Sequence, residues 1–258
     1  MSSYKLHKFK GKLKAMLNAD EEINELHIEG LRIIQNKKKF CYGIDAVLLS
    51  WFADARHNDR IVDLGTGTGI IPILMTESTK AADFTALEIQ SESADMARRS
   101  VILNNLESKI KIIEGDIKYV HELFAPNSFN VVTCNPPYMN PVTGTQNSSD
   151  TLAIARHEIL CNLEDVIKAA SYLMKSPGKF FLVHRPARLA EIFSLMHKYK
   201  MEPKRMQLVQ PAAGKAADIV LIEARKGAKP ELKIEPVLSV YEKPGIFSAE
   251  INNIYRRK

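Results

Sequence analysis

The chain has little cysteine, and its three cysteines, Cys41, Cys134 and Cys161, lie far apart without a CxxC pair. An odd, scattered set of this kind predicts neither a disulfide framework nor a zinc site, so we expect no metal. No apolar run approaches the roughly eighteen residues of a membrane-spanning helix, and the first residues lack the apolar stretch of a signal peptide. We therefore expect a cytoplasmic protein that does not enter a membrane.

Charge is distributed unevenly along the 258 residues, whose formal net charge is +6. Residues 59–135 hold 7 Lys and Arg against 11 Asp and Glu, whereas residues 185–233 hold 11 against 5. A basic second half is typical of a protein that contacts a phosphate backbone, although a solvated lysine-rich surface has the same composition. Five lysines within residues 5–14 have no acid among them, so we interpret residues 1–22 as a basic arm or leader.

Strand and helix patterns alternate from residue 60 onward, which predicts an α/β fold with a parallel, doubly wound sheet. The predicted strands are 60–64, 84–89, 110–115, 130–134 and 179–184, and the predicted helices are 44–53, 70–78, 91–106, 119–124, 163–175 and 188–199. Two closing strands, 205–210 and 218–225, are joined by a short loop and must therefore be antiparallel. Residues 31–42 are expected to form a hairpin that turns at 35–39.

A glycine-rich loop, DLGTGTG at residues 63–69, joins the first of these strands to a helix. Its glycines allow positive φ angles and a close approach of the backbone to a ligand. The spacing differs from the dinucleotide fingerprint, because Ile70 stands where that pattern has its third glycine. Asp63 would repel a pyrophosphate and attract an ammonium group. The loop therefore argues against a nicotinamide oxidoreductase.

Two more carboxylates stand at the ends of the next two predicted strands. Glu88 can accept both hydroxyls of a ribose, and Asp116 can accept from an adenine amine. Each alone is more often an ordinary loop acid, but three at successive strand ends outline a ligand with an amine, a ribose and an adenine. That ligand is S-adenosylmethionine. The expected cofactor-binding residues are Asp63, Gly65, Thr66, Gly67, Gly69, Glu88, Ile89, Asp116, Ile117 and Asn135.

The segment CNPPYMNP at residues 134–141 follows the fourth predicted strand. Pro136 and Pro137 restrict φ and carry no N–H, so the turn is stiff and rich in carbonyl acceptors. Asn135 and Pro136 can accept both N–H bonds of an aromatic amine while Tyr138 stacks on the base. We expect Asn135, Pro136 and Tyr138 to be catalytic through orientation and electrostatics, without a strong general base. The structural alternative is a proline-ended strand with a capping asparagine.

In their order along the chain these motifs resemble class I S-adenosylmethionine-dependent methyltransferases of the amino-methylating branch. The segments FCYGIDAVLL, DLGTGTGIIP, NPPY, ARHE and VHRPARL are similar to those of the bacterial valine-tRNA adenine N(6)-methyltransferase family. The resemblance implies a Rossmann-like, mainly parallel seven-stranded sheet with an antiparallel C-terminal hairpin and a small N-terminal hairpin. It implies a methyltransferase domain at residues 23–241, followed by a C-terminal extension at 242–258.

The same resemblance implies tRNA as the partner and the exocyclic amine of an adenine next to the anticodon as the acceptor. Two alternatives with the same turn are enzymes that methylate a guanine amine of rRNA or a glutamine of a protein. A third is a non-catalytic RNA-binding protein of the same fold. The presence of Gly67, Asp116 and Asn135 argues against that third alternative.

The expected substrate-binding residues are Pro137, Tyr138, Arg156, His157 and Arg185. The arginines, together with Arg188, could grip phosphates or could be charges at helix ends. For Asp45 the resemblance implies contact with the loop that covers the methionine moiety. Capping of the helix that begins at Ile44 is the alternative.

Overall fold

The computed structural model describes residues 16–38, 42–81, 83–137 and 161–255, which contain a ten-stranded sheet and a separate two-stranded hairpin. The strands are β1 (Glu21–Glu25), β2 (Arg32–Asn36), β3 (Arg60–Leu64), β4 (Asp83–Glu88), β5 (Ile110–Glu114), β6 (Phe129–Cys134), β7 (Met174–His184), β8 (Met201–Ala212), β9 (Ile219–Lys226), β10 (Lys233–Ile234), β11 (Leu238–Lys243) and β12 (Ile246–Phe247). The helices are α1 (Ile44–Phe52), α2 (Ile70–Ser78), α3 (Ser91–Leu103), α4 (Val120–Leu123), α5 (Leu163–Leu173), α6 (Leu189–Lys198) and α7 (Ala249–Ile254). Short 3-10 turns at Ile117–Tyr119 and Pro186–Arg188 lead into α4 and α6.

The centre of the sheet has the strand order β8-β9-β7-β6-β3-β4-β5. Strands β7, β6, β3, β4 and β5 are parallel neighbours, whereas β9 lies antiparallel between β7 and β8. These seven strands confirm the predicted doubly wound sheet and its antiparallel closing pair. Strands β10, β11 and β12 extend the sheet beyond β8 and are not among the predicted strands.

Element boundaries agree best with prediction in the middle of the sheet, where β3 and α2 begin and end at the expected residues. Two differences have a clear cause. Strand β7 begins at Met174, earlier than expected, because Met174 pairs with Phe129 of β6 directly after α5 ends. Helix α3 ends at Leu103 because the Asn104 amide group turns to the Ser100 carbonyl and to the hairpin.

The N-terminal hairpin is present, but only its second strand, β2, coincides with a predicted one. Strand β1 pairs antiparallel with β2, so the connection runs through residues 26–31. The turn expected at 35–39 instead coincides with the end of β2. Strand β1 has the sequence EEINE, in which Ile23 is the one apolar residue, and so it gives no strand signal. It also begins inside residues 1–22, whose interpretation as an arm stays a prediction.

Helices cover both faces of the sheet. Helices α1, α2 and α3 pack on one face, and α4, α5 and α6 pack on the other. Helix α7 joins the first face, where Ile251, Ile254 and Tyr255 are buried. The predicted domain boundary at residue 241 is not decided by this packing. None of the helices in the described ranges is long and apolar enough to cross a membrane.

Arg99 of α3 anchors the hairpin to the sheet layer. Its guanidinium donates to both carboxylate oxygens of Glu21 at 2.5 and 2.8 Å, and to Asp95 at 2.6 Å. It also donates to the Met16 carbonyl at 2.6 Å. Hydrogen bonding to Arg99 lowers the pKa of Glu21. One side chain thus ties β1 and the backbone that precedes it to α3.

Arg99→Met removes this anchor and leaves the Glu21 carboxylate, whose side chain is 6% exposed, without its cation. We expect the free energy of unfolding to fall by about 2–3 kcal/mol. The matched control is Arg98→Met, because Arg98 is 44% exposed and lies 3.8 Å from Glu114. That variant should lose less than about 0.5 kcal/mol. Equal losses in urea unfolding would contradict the anchoring role.

Candidate functional site

Strand register brings the predicted site residues to one edge of the sheet. Asp63 of β3 pairs with Thr133 of β6, and Glu88 of β4 pairs with Glu114 of β5. Because these strands are parallel, the loops that follow them lie side by side at the carboxyl edge. The structure therefore brings together the glycine loop, Glu88, the turn at 116–117 and the start of the Asn-Pro-Pro segment.

The glycine loop is held in shape by backbone hydrogen bonds to the neighbouring strand. The N–H groups of Gly65 and Thr66 donate to the Leu87 carbonyl at 2.9 and 3.0 Å. All three glycines of the loop have positive φ, of 70°, 59° and 88° in chain order. Left-handed backbone of this kind is costly for residues with a Cβ, so the loop needs glycine at these positions.

The last two glycines of the loop lie in different surroundings. A Cβ added to Gly69 would lie 3.3 Å from the Cβ of Ala97, so Gly69 lets α2 and α3 pack closely. A Cβ added to Gly67 would meet no atom of the described residues within 4 Å. Gly67 therefore borders open space, and a ligand can reach its backbone.

The Glu88 carboxylate is fixed by two backbone donors. Its Oε2 accepts the N–H of Gly67 at 2.8 Å, and its Oε1 accepts the N–H of Gln90 at 2.9 Å. The residue is 4% exposed. Each oxygen can accept a second hydrogen bond, so the carboxylate suits the two hydroxyls of a ribose. Ile89, the adjacent predicted contact, is 38% exposed.

Asp63 is fully buried beneath the glycine loop. Its Oδ1 accepts the Thr133 hydroxyl at 2.6 Å. Among the described residues, neither its Oδ2 nor the buried Thr66 hydroxyl makes a hydrogen bond of standard geometry. Burial raises the pKa of Asp63 to about 7; the Thr133 and Thr66 hydroxyls act against this rise, and the Glu88 charge adds to it. An incoming ammonium group would supply the missing partner and favour the ionised form.

Asp116 and Ile117 form the third side of this region. Asp116 caps the 3-10 turn, where its Oδ1 accepts the Lys118 N–H at 2.8 Å and its Oδ2 lies 3.7 Å from the Lys118 ammonium. The Ile117 side chain faces Gly65, since a Cβ there would lie 3.8 Å from its Cδ1. An apolar wall with a carboxylate at its rim suits an adenine ring with its amine.

The Asn-Pro-Pro segment leaves β6 next to the glycine loop. Cys134 is buried and donates from Sγ to the Leu64 carbonyl at 3.1 Å, and burial raises its thiol pKa. Asn135 is half-buried, Pro136 is buried and Pro137 is exposed. Tyr138, Arg156 and His157 lie outside the described residues, so their roles stay predictions.

Arg185 and Arg188, which follow β7, take part in local ion pairs. Arg185 donates to the Asp218 carbonyl at 2.8 Å, and its charge opposes the burial that raises the pKa of Asp45. Arg188 donates to both carboxylate oxygens of Glu191 at 2.8 and 2.7 Å. These contacts support the alternative that both arginines stabilise the ends of a helix and a strand. Phosphate binding by Arg185 stays a prediction.

The helix α1 is not capped by Asp45. Its N-cap residue is Gly43, and Asp45 lies inside the first turn. The contact of Asp45 with the loop over the methionine moiety, which the resemblance implies, stays a prediction.

A cleft of about 130 Å³ lies beside the Asn-Pro-Pro segment, and the sequence patterns did not predict it. Three separate segments line it, with Pro136, Pro137, Cys161, Asn162, Leu163, His184 and Arg188. Its one histidine is the last residue of β7, where the apolar strand pattern gave no reason to expect a site residue. No group of three or more His, Cys, Asp or Glu side chains in the described part of the chain is arranged to hold a metal.

A family model for the methyltransferase small domain matches residues 34–199. The chain belongs to this family. It is 24% identical over 208 residues to a tRNA1(Val) (adenine(37)-N6)-methyltransferase of Photobacterium profundum, covering 80% of this chain and 85% of the relative. It is 26% identical over 205 residues to a protein of the same name from Dyadobacter fermentans, covering 78% and 82%.

Solved structures agree with the fold. A predicted O-methyltransferase from Agrobacterium tumefaciens is 26% identical, with a TM-score of 0.65 over 82% of this chain and 95% of that one. A ribosomal protein L11 methylase from Lactobacillus delbrueckii is 17% identical, with a TM-score of 0.50 over 70% and 77%. The Rossmann-like methyltransferase fold predicted from the motifs is confirmed.

Family and fold make the chain an S-adenosylmethionine-dependent methyltransferase, and the described residues fit that donor. The unpartnered Oδ2 of Asp63 suits its ammonium group, Glu88 suits its ribose, and Ile117 suits its adenine. The space above Gly67 leaves room for it. The predicted cofactor is confirmed, whereas the role of each residue stays a prediction that variants can test.

Asp63→Asn tests the buried carboxyl through stability. The pKa of Asp63 rises from its usual 3.8 to about 7 on folding, so the folded state binds the extra proton between these values. Wild-type stability should therefore fall as pH rises from about 4 to 7, and the penalty is complete above 7. We expect the variant to be more stable by roughly 2–4 kcal/mol at pH 8, and no more stable near pH 4. Urea unfolding at several pH values measures this; a difference independent of pH would contradict it.

Gly67→Ala and Gly69→Ala form a matched pair in one loop. Both impose positive φ on alanine, which costs about 1–2 kcal/mol. Gly69→Ala adds crowding against Ala97 and should lose more stability, whereas Gly67→Ala should lose less stability but more than tenfold in donor affinity. Thermal unfolding and calorimetry with S-adenosylmethionine measure the two effects. If Gly67→Ala were the less stable of the two variants, Gly69 would not be the glycine that close helix packing requires.

Proposed function

We propose that this protein transfers the methyl group of S-adenosylmethionine to the exocyclic amine of an adenine in tRNA, next to the anticodon. The observation that carries the proposal is the position of Asn135 and Pro136, which leave β6 directly beside the Asp63 strand. The names of the relatives from Photobacterium and Dyadobacter support the acceptor. The proposal places the protein in the cytoplasm, where tRNA is modified.

The chemistry requires a weak nucleophile to be oriented. An adenine amine is a poor nucleophile because its lone pair is delocalised into the ring. The side-chain oxygen of Asn135 and the Pro136 carbonyl would accept its two N–H bonds, favour a pyramidal nitrogen and aim the lone pair outward. When bound, S-adenosylmethionine supplies an electrophilic methyl carbon on a sulfonium. The amine nitrogen would gain the methyl group as the carbon–sulfur bond breaks with its electron pair left on sulfur, which becomes a neutral thioether, and the nitrogen would lose one proton to water.

Fixed acceptors make this orientation efficient. Pro136 is buried and Cys134 is tied to Leu64, so the start of the turn is held by the sheet. Acceptors that are already in place do not have to reorganise during the reaction. The target base must first leave its stack, as it does for other base-modifying enzymes.

Contact with RNA is supported by the charge of the second half of the chain, where residues 185–233 hold 11 basic against 5 acidic side chains. Charge of this sign attracts a phosphate backbone. It favours an RNA acceptor over a protein glutamine.

The proposal is tested by mass spectrometry of tRNA nucleosides from cells with and without the gene. A methyladenine that disappears with the gene and returns with the purified enzyme is the expected result. Labelled donor incubated with separated tRNA, ribosomes and release factor distinguishes the alternatives. Label in ribosomes or release factor, with none in tRNA, would overturn the proposal.

Asn135→Ala tests the acceptor turn. We expect the rate of methyl transfer to fall by about 10²–10³, because one fixed acceptor for the amine is lost. Affinity for S-adenosylmethionine should change little. Asn130→Ala is the control: Asn130 lies near the other end of β6, where its side chain accepts from the Arg60 N–H and from Lys175. Methyl transfer by Asn135→Ala at the rate of this control would remove Asn135 from the mechanism.

A further inference from the structure

The cleft beside the Asn-Pro-Pro segment has the size of one aromatic ring. Its volume is about 130 Å³, and it opens between the end of β6, the start of α5 and the end of β7. An apolar cavity of about 150 Å³ in another protein holds a benzene molecule. Pro136, whose carbonyl is a proposed acceptor for the amine, forms one wall, and His184 forms another. A base held by the turn would bring its ring edge toward His184.

The His184 imidazole has a defined tautomer. The residue is 1% exposed, and its Nδ1 accepts the Arg185 N–H at 2.8 Å. In a neutral ring the proton therefore resides on Nε2, which is a hydrogen-bond donor. Burial, together with the charges of Arg188 and Arg185, lowers the pKa of His184 to about 4, although the Arg185 N–H bond and Glu191 act in the opposite direction. The ring is thus neutral near pH 7.

A single donor in this position distinguishes the nucleobases by chemistry. The adenine amine lies between N1 and N7, which are both acceptors. The guanine N2 amine lies between N1–H, a donor that would oppose His184, and N3, an acceptor, so guanine matches a donor on one side of its amine only. A glutamine amide has no ring nitrogen at all. A donor next to the amine acceptors therefore matches adenine in both orientations of the ring, guanine in one and a glutamine amide in neither.

We propose that His184 is a specificity-determining residue that donates a hydrogen bond from Nε2 to a ring nitrogen beside the reacting adenine amine. The inference deepens the proposed function and rests on it. Arg185 acts through its backbone N–H, which fixes the tautomer, and it is a positioning residue in this arrangement.

Two isosteric variants separate the two nitrogens of the ring. In His184→Asn, an amide oxygen can replace Nδ1 as acceptor for Arg185, but the donor at the Nε2 position is lost. In His184→Gln, an amide N–H can occupy the Nε2 position. We expect kcat/KM on the tRNA to fall by about 10- to 100-fold in His184→Asn and by less than about fivefold in His184→Gln. Thermal unfolding and S-adenosylmethionine affinity should be similar in the two variants.

Substrate analogues identify the partner atom. The tRNA is synthesised with 1-deazaadenosine or 7-deazaadenosine at the methylated position, which removes N1 or N7. For one of the two analogues, we expect the kcat/KM of the wild type to fall by about the factor that His184→Asn causes on normal tRNA. On that same analogue, the kcat/KM of His184→Asn should fall no further. The inference would be overturned if His184→Asn had normal activity. It would also be overturned if, for both analogues, the loss of kcat/KM from the analogue multiplied with the loss from the substitution.

The same experiment separates the two claims. If the wild type methylates adenine in tRNA but His184→Asn is unaffected, the proposed function stands and the role of His184 falls. If the wild type leaves tRNA unmethylated, the proposed function falls and the inference falls with it.

Discussion

The hydrogen bond from the Thr133 hydroxyl to Asp63 joins the two halves of the site. Asp63 belongs to the strand that leads into the glycine loop, and Thr133 lies two residues before Asn135. Parallel register between β3 and β6 places these residues opposite one another. In the proposed mechanism, the donor side and the acceptor side of the reaction therefore share one buried contact, and neither can shift along the sheet without the other.

Burial of the Asp63 carboxyl group has a cost in stability, which the hydrogen bond from Thr133 only partly offsets. A carboxyl group with no exposure keeps a raised pKa, so the ionised form that an ammonium ligand requires is disfavoured in the empty site. If the donor's ammonium group binds at Asp63, as we expect, it would remove that penalty by supplying the opposite charge. Function and stability thus oppose each other at Asp63, as is common for polar groups placed for a ligand.

Rigidity elsewhere in the site comes from backbone chemistry rather than from many side chains. Glycines allow the left-handed loop over Asp63, and prolines stiffen the turn after β6. The Glu88 carboxylate is aimed by two backbone N–H groups. The proposed reaction uses no strong base and depends on the orientation of the amine and the donor. Groups that do not move hold that orientation.

The sequence predicts the parts of the molecule that local patterns determine. Strand β3 is mostly apolar and helix α2 begins with an apolar run, on either side of the glycine loop, and the alternation of strands and helices places Glu88, Asp116 and Asn135 at one edge. Tertiary packing determines what was missed. Strand β1 is polar in sequence and is held by Arg99, and strands β10 and β12 have two residues each.

The cleft at His184 was missed for a related reason. Residues from three distant segments form it, and no spacing along the chain relates them. The contact of Arg185 with Asp218 joins the end of β7 to the start of β9 in the same way. The sequence predicts which residues lie at the end of a single strand. Which strand ends lie next to one another depends on the order and register of the strands in the sheet.

Calorimetry of S-adenosylmethionine binding in buffers with different ionisation enthalpies tests most directly whether the donor's ammonium group binds at Asp63. With a pKa of about 7 in the empty site, Asp63 should release nearly one proton per donor bound at pH 6, about half at pH 7 and almost none at pH 8, where the donor's α-amino group, with an ordinary pKa of about 7.7–8.0, instead takes up protons. Proton release that does not change between pH 6 and 8 would contradict the account.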